Sequence, residues 1–177
     1  MQSKYLVYPI GRFQPPAQIN EQDISSWIER IKMLGTKLNT VLNQHPNMDW
    51  NQPYRPGAWT YVQLVHHLAD SHMNAFIRFK WALTEDNPLI KAYDENSWAQ
   101  LPDANGPMVD AVQLLHALHH KWSLLMEGMS WDQWNRTYVH PEGLQTRSLA
   151  LTSALYAWHG DHHLAQIEQG IKLIHEQ

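Results

Sequence analysis

Cysteine is absent from all 177 residues. That excludes disulfide staples, zinc–thiolate sites and a cysteine nucleophile together. Charge is sparse: 17% of residues are Asp, Glu, Lys or Arg, and the net charge is −4 with histidine neutral. Nothing here offers a broad electrostatic grip on nucleic acid, so no nucleic-acid partner is expected. No stretch approaches the roughly 18–20 apolar residues that a membrane-spanning helix needs. Met1 to Phe13 holds Lys4 but no apolar run followed by small residues, and it does not read as a secretory leader. A cytoplasmic protein is the expectation, although a chain without cysteine also suits an oxidising compartment. Two metal motifs are missing as well: the His-Glu-x-x-His of zincins and the inward Glu-x-x-His pairs of di-iron bundles.

Histidine and tryptophan are abundant, at twelve and nine residues. Tryptophan supplies large buried area and stiff walls. Imidazole is a common metal ligand and titrates near neutrality. With 44% apolar residues, the chain can build a full core, and its length predicts one domain over residues 1–177.

Apolar spacing predicts four helices, at about Asn20–Gln44, Thr60–Leu83, Met108–Glu127 and Leu149–Ile174. His45-Pro46, Asn87-Pro88 and Gly128 end the first three. Thr84 to Pro107 forms a long connection, which lets the second and third helices run parallel. Arg136–His140, then Pro141-Glu142-Gly143, then Leu144–Leu149 reads as a short β-hairpin.

On the fourth helix His159 and His163 lie about 40° apart, since each residue turns the helix about 100°. Thr152, Leu155, Tyr156, Gln166, Ile167, Gly170 and Ile174 share that face, while Asp161, Glu168 and Lys172 lie opposite. Two inward imidazoles one turn apart can share a metal ion if another helix adds a third ligand; alternatively they are core histidines bonded to neighbours. The second helix offers His67, around which Gln63, Asp70, Ser71, Asn74 and Arg78 form a polar strip. That strip is either a site or the solvent side. His116 and His120 are a rival pair of less clearly internal direction. His162 points off centre from His159, as a contact to a ligand or to the site. His66 and His72 turn away from His67 and read as packing or interface residues. His45 and His175 sit near helix ends, and His140 has no defined place.

The chain resembles the DinB/YfiT-like superfamily, and within it the YfiT branch, along nearly its whole length. The resemblance rests on Tyr8-Pro9-Ile10-Gly11, Pro53-Tyr54-Arg55-Pro56-Gly57-Ala58-Trp59-Thr60 and Val65 to Asn74. It continues through Arg78-Phe79-Lys80, Leu83-Thr84-Glu85-Asp86, Tyr93-Asp94-Glu95, Trp98, Leu118-His119, Trp122 and His140-Pro141. It ends with Tyr156-Ala157-Trp158-His159 and His162-His163-Leu164-Ala165. It implies an all-α, up-down-down-up four-helix bundle. It further implies one divalent ion, nickel or zinc, on three histidines matching His67, His159 and His163. His119 matches the family pattern, whereas His116 and His120 do not. A homodimer is implied too, which would explain apolar residues on more than one side of the second helix.

Three neutral imidazoles leave such an ion its full charge and an open position. The ion could activate water for hydrolysis or a thiol for attack on an electrophile. With no cysteine in the chain, the thiol would be a low-molecular-weight co-substrate. By resemblance the YfiT branch contains both hydrolases and bacillithiol S-transferases; a metal-binding stress protein without turnover is the remaining reading. Asp70 is expected to support an imidazole or water beside the ion rather than bind it. Arg78 and Asn74 are candidates to hold an anionic group, or else to make salt bridges at the bundle end. Tyr156 would donate a hydrogen bond to an anion at the ion, or simply pack.

Overall fold

Each of the first two long helices begins where a side chain takes up the free amides of its first turn. We describe residues 7–175 of a computed structural model; residues 1–6, part of the stretch read above for a leader, and 176–177 lie outside it. Helix α1 is Glu21–Gln44, and Asn20 accepts from the amides of Gln22 and Asp23 while the Asp23 carboxylate accepts from the Asn20 amide. Helix α2 is Tyr61–Thr84, opened by the same reciprocal box between Thr60 and Gln63. Such boxes satisfy donors that would otherwise be orphaned. Helix α3 is Met108–Glu127, started by Pro107 and stopped at Gly128. Helix α4 is Leu149–His175. The expected bounds are met to within a residue, because Asn20 and Thr60 cap their helices rather than belong to them.

Helix α1 packs on α3 and α4, and α2 packs on the same two. His72 meets His119 and Phe79 meets Trp122, so α2 and α3 run parallel. His67 meets His163 and Arg78 meets Tyr156, so α2 and α4 run antiparallel. Arg30 meets Asp161 and His45 meets His175, so α1 runs with α4. The order is up-down-down-up. Asp161, placed on the solvent side by its spacing, instead lies against α1, with Arg30 at 2.8 Å and Lys37 at 3.7 Å.

The long crossover is ordered rather than structureless. It holds a one-turn helix, Glu95–Trp98, capped by Asp94, and a 3-10 turn, Pro102–Asn105, packed on α2. Its start is tied to the hairpin, with the Val139 amide donating to Pro88 O at 2.9 Å and the Ile90 amide to Val139 O at 3.0 Å. Strands β1, Thr137–His140, and β2, Gln145–Ser148, pair antiparallel. Gly143 takes φ +71° in the turn, a conformation that costs glycine little. A further one-turn helix, Trp131–Trp134, precedes the hairpin and was not expected. Trp122, Tyr61, Tyr138 and Phe79 are fully buried in the core. No helix among the described residues is long and apolar enough to cross a membrane.

Candidate metal centre

Helix α2 brings His67, and α4 brings His159 and His163, to one point inside the bundle. The His67 and His159 Nε2 atoms are 3.3 Å apart, and those of His159 and His163 are 3.2 Å apart. A tetrahedral ion with nitrogens at about 2.0–2.1 Å sets neighbouring nitrogens about 3.3–3.4 Å apart. Both of these separations match that spacing, and the three ligand atoms all lie within 4.8 Å of one another.

Their protonation follows from what the other ring nitrogen touches. The Gln166 amide nitrogen donates to Val7 O at 3.0 Å, which turns the amide oxygen toward His163 Nδ1 at 2.8 Å. His163 therefore carries its proton on Nδ1 and presents a lone pair at Nε2. His159 Nδ1 faces His72 Nε2 at 3.3 Å, and His72 Nδ1 faces His119 Nε2 at 2.9 Å. With Nε2 of His159 given to an ion, each Nδ1–H donates to the next ring along this row. The last Nδ1, on His119, has no partner and is buried.

Burial disfavours the imidazolium form throughout. It pushes His67 down to about 4. It holds His159 and His163 well below the usual histidine range, with the neighbouring histidines adding to the shift. Converging lone pairs on neutral rings repel one another until a cation occupies the centre. The donor set fits a divalent transition-metal ion. Trp59 walls the site, its ring 4.8 Å from that of His67.

Two cavities reach the trio. One of about 650 Å³ touches His159 and is lined by Ser71, Arg78, Tyr93, His140 and Tyr156. A second of about 250 Å³ touches His163, between the Tyr54–Trp59 loop and Asn96, which lines both.

The other residues singled out in the sequence are dispersed. Tyr156 is buried beside His159, with ring centroids 5.6 Å apart, and accepts from Arg78 Nη1 at 3.3 Å. Burial raises its hydroxyl above the usual tyrosine range, so the phenol stays protonated. Asp70 is half-buried and raised by burial and by Asp103, with His66 opposing; it makes none of the hydrogen bonds that orient the trio. Asn74 donates to the Asp70 carbonyl at 2.8 Å. His162 stacks on Trp158 with centroids 4.7 Å apart, and burial lowers it to about 4. His116 and His120 lie on the exposed side of α3. His66 Nε2 lies 3.2 Å from Gly106 O, a packing role as expected.

His72, read with His66 as a packing or interface residue from its turn away from His67, is fully buried behind His159. The 140° between them on α2 is real; what the spacing could not supply is that α4 crosses in front of both. His140 lines the larger cavity, and Gln166 orients His163; neither role was assigned from sequence. Gln166 carried one signal, its position three residues after His163 on the same face.

Residues 31–167 match the DinB superfamily. A protein of Halalkalibacterium halodurans is 42% identical over 164 residues, covering 93% of this chain and 95% of its own. One of Geobacillus thermodenitrificans is 46% identical over 162 residues, covering 90% of each. Both bear the name "putative metal-dependent hydrolase". Among solved structures, YfiT from Bacillus subtilis superposes with a TM-score of 0.90 at 36% identity, over 96% of this chain and 98% of its own. It is described as a probable metal-dependent hydrolase with an unusual four-helix bundle topology.

Proposed function

Since this chain belongs to the DinB superfamily, we propose that His67, His159 and His163 hold one divalent ion, zinc or nickel, and that the protein is a metal-dependent enzyme acting on a small molecule. The observation that carries this is the convergence of three imidazoles, with His159 Nε2 3.3 Å from His67 Nε2 and 3.2 Å from His163 Nε2, two of the rings being aimed by Gln166 and His72. When bound, the ion supplies a Lewis acid that lowers the pKa of an attacking O–H or S–H group. The chain's own residues set the rest. The histidines stay neutral, so they leave the ion its full charge. Tyr156 keeps a hydroxyl proton to donate toward an anion in the larger cavity. Trp59 keeps water off one side of the cluster.

Within that reading we favour a low-molecular-weight thiol as nucleophile, making the enzyme a bacillithiol-type S-transferase. The support is the pair of cavities that meet at the trio, one beside His159 and one beside His163. Two molecules can thus approach the same centre from two sides. The thiol gives up its proton to solvent, its sulfur bonds to the electrophilic carbon, and the bond from that carbon to the leaving group breaks, the group departing with the electron pair. Hydrolysis, with water as nucleophile, is the second reading, supported by the names of the relatives. A homodimer is supported by Ile77 and Trp81, 37% and 38% exposed on the outer side of α2.

Elemental analysis of protein purified without an affinity tag should give one ion per chain, and His159→Ala should lose it. Full metal in that variant would refute the site. The loaded protein is then mixed with a thiol and monobromobimane. Metal-dependent acceleration supports transfer; ester or amide turnover without it supports hydrolysis. Metal bound with neither activity would make this a metal-binding protein without turnover.

A further inference from the structure

Arg78 is a guanidinium inside the bundle that pairs with no acid among the described residues. The residue is 5% exposed, one Nη donates to Tyr156 Oη at 3.3 Å, and Nε is buried without a partner. The ion pairs among the described residues use Arg30, Lys32, Lys37 and His140, not Arg78. The salt bridge at the bundle end that its sequence position allowed is therefore not made. A buried charge without a counter-charge carries an effective penalty of several kcal/mol. A methionine or leucine would fill the same space on α2 without it.

Arg78 lines the cavity of about 650 Å³ that ends on His159. Ser71 lies in the same wall, beside Tyr93 and Tyr156. Tyr156 accepts from Arg78 at its oxygen, which leaves its own proton to turn toward Ser71 or toward a ligand. Acids do line this cavity, but at its rim: Asp94, Glu95 and Glu142 are exposed residues. The Glu142 side chain is 80% exposed, 3.9 Å from His140 Nδ1. The floor is thus cationic and the rim acidic.

We propose, resting on the metal-dependent reading above, that Arg78 and the Tyr156 hydroxyl form a subsite for one carboxylate of the small-molecule ligand. The planar fork of arginine suits a carboxylate, and the ligand charge replaces the missing partner. Tyr156 stands between Arg78 and His159, its ring 5.6 Å from that of the histidine. The carboxylate therefore lies about one aromatic ring away from the atom that reacts at the trio. The acidic rim disfavours ligands with many anionic groups.

The test is calorimetric titration of the metal-loaded full chain with succinate and with inorganic phosphate at low salt, alongside elemental analysis. Wild type should bind succinate. Arg78→Gln should bind it at least tenfold more weakly at unchanged metal content. Arg78→Lys keeps the charge without the fork and should fall at least threefold. Equal succinate affinity in wild type and a folded Arg78→Gln overturns the proposal, as does failure of wild type to bind either anion. Stronger binding of phosphate than succinate overturns the carboxylate assignment. If Arg78→Gln does not fold, equal affinity in Arg78→Lys overturns it. Protein that binds no metal refutes the metal reading, whereas metal bound without succinate refutes only this subsite. Comparing mercaptosuccinate with 2-mercaptoethanol as nucleophile then shows which reactant carries the carboxylate. A preference for mercaptosuccinate that is lost in Arg78→Gln places it on the thiol, and an unchanged preference places it on the other reactant.

Discussion

At the scale of single residues, the trio depends on the groups behind it. A free imidazole rotates and exchanges tautomers; a ligand must do neither. Gln166 holds His163 and His72 holds His159, and groups of this kind typically contribute 10–100-fold in metal affinity. We expect His72→Phe, which keeps the ring volume and removes both nitrogens, to weaken metal binding about 10–100-fold while the protein stays folded. Competition against a chelator of known affinity measures this, and an unchanged constant would remove His72 from the site. The same substitution removes the hydrogen bond that His119 makes among the described residues, so some loss of stability should accompany it.

At the scale of elements, the site depends on how closely α4 approaches the start of α2. Gly170 is the tightest point of that contact: an added methyl would overlap the Tyr61 hydroxyl and come within 3.0 Å of the Tyr54 carbonyl. Tyr61 is fully buried and Tyr54 nearly so, so neither can give way cheaply. Gly170→Ala should destabilise by about 1–3 kcal/mol, lowering Tm by about 2–4 °C per kcal/mol for a chain of this length. Thermal denaturation checks it; an unchanged or raised Tm would mean that the helices slide apart freely. The four long helices were legible from sequence because their signals are local: apolar spacing, caps and breakers. The crossover was not. Glu95–Trp98 and Pro102–Asn105 are short turns in a connection held by contacts of Pro102–Asn105 with α2 and of Pro88 and Ile90 with the hairpin, and Tyr93 to Asn96 wall the larger cavity.

At the scale of the whole molecule, the bundle buries basic side chains that would rather be protonated in water. His67 sits at about 4 and His119 at about 3 in the folded chain, both through burial, against about 6.5 when unfolded. Between those values the unfolded chain binds more protons than the folded one, so stability rises with pH there. The contribution is complete above about pH 6.5 and is lost as pH falls toward the folded values. Each group removes about 1.4 kcal/mol by pH 5.5. Chelated, metal-free protein should therefore lose several degrees of Tm between pH 7 and pH 5.5. A flat profile over that range would contradict the burial of these rings.

Read alone, the residues determined the four helices, the inward face shared by His159 and His163, and the lack of any thiol, since periodicity, capping and composition are properties of neighbours along the chain. Helical spacing left His67 between site and solvent, and only the family resemblance chose the site. The fold decided what distance along the chain conceals. It set His67 against α4, put His72 and His119 in a row behind His159, and left Arg78 buried in a cavity wall without an ion-pair partner among the described residues. These depend on which helices face each other and at what depth. That is a matter of packing among residues as far apart in the chain as His67 and His163, and no local spacing encodes it.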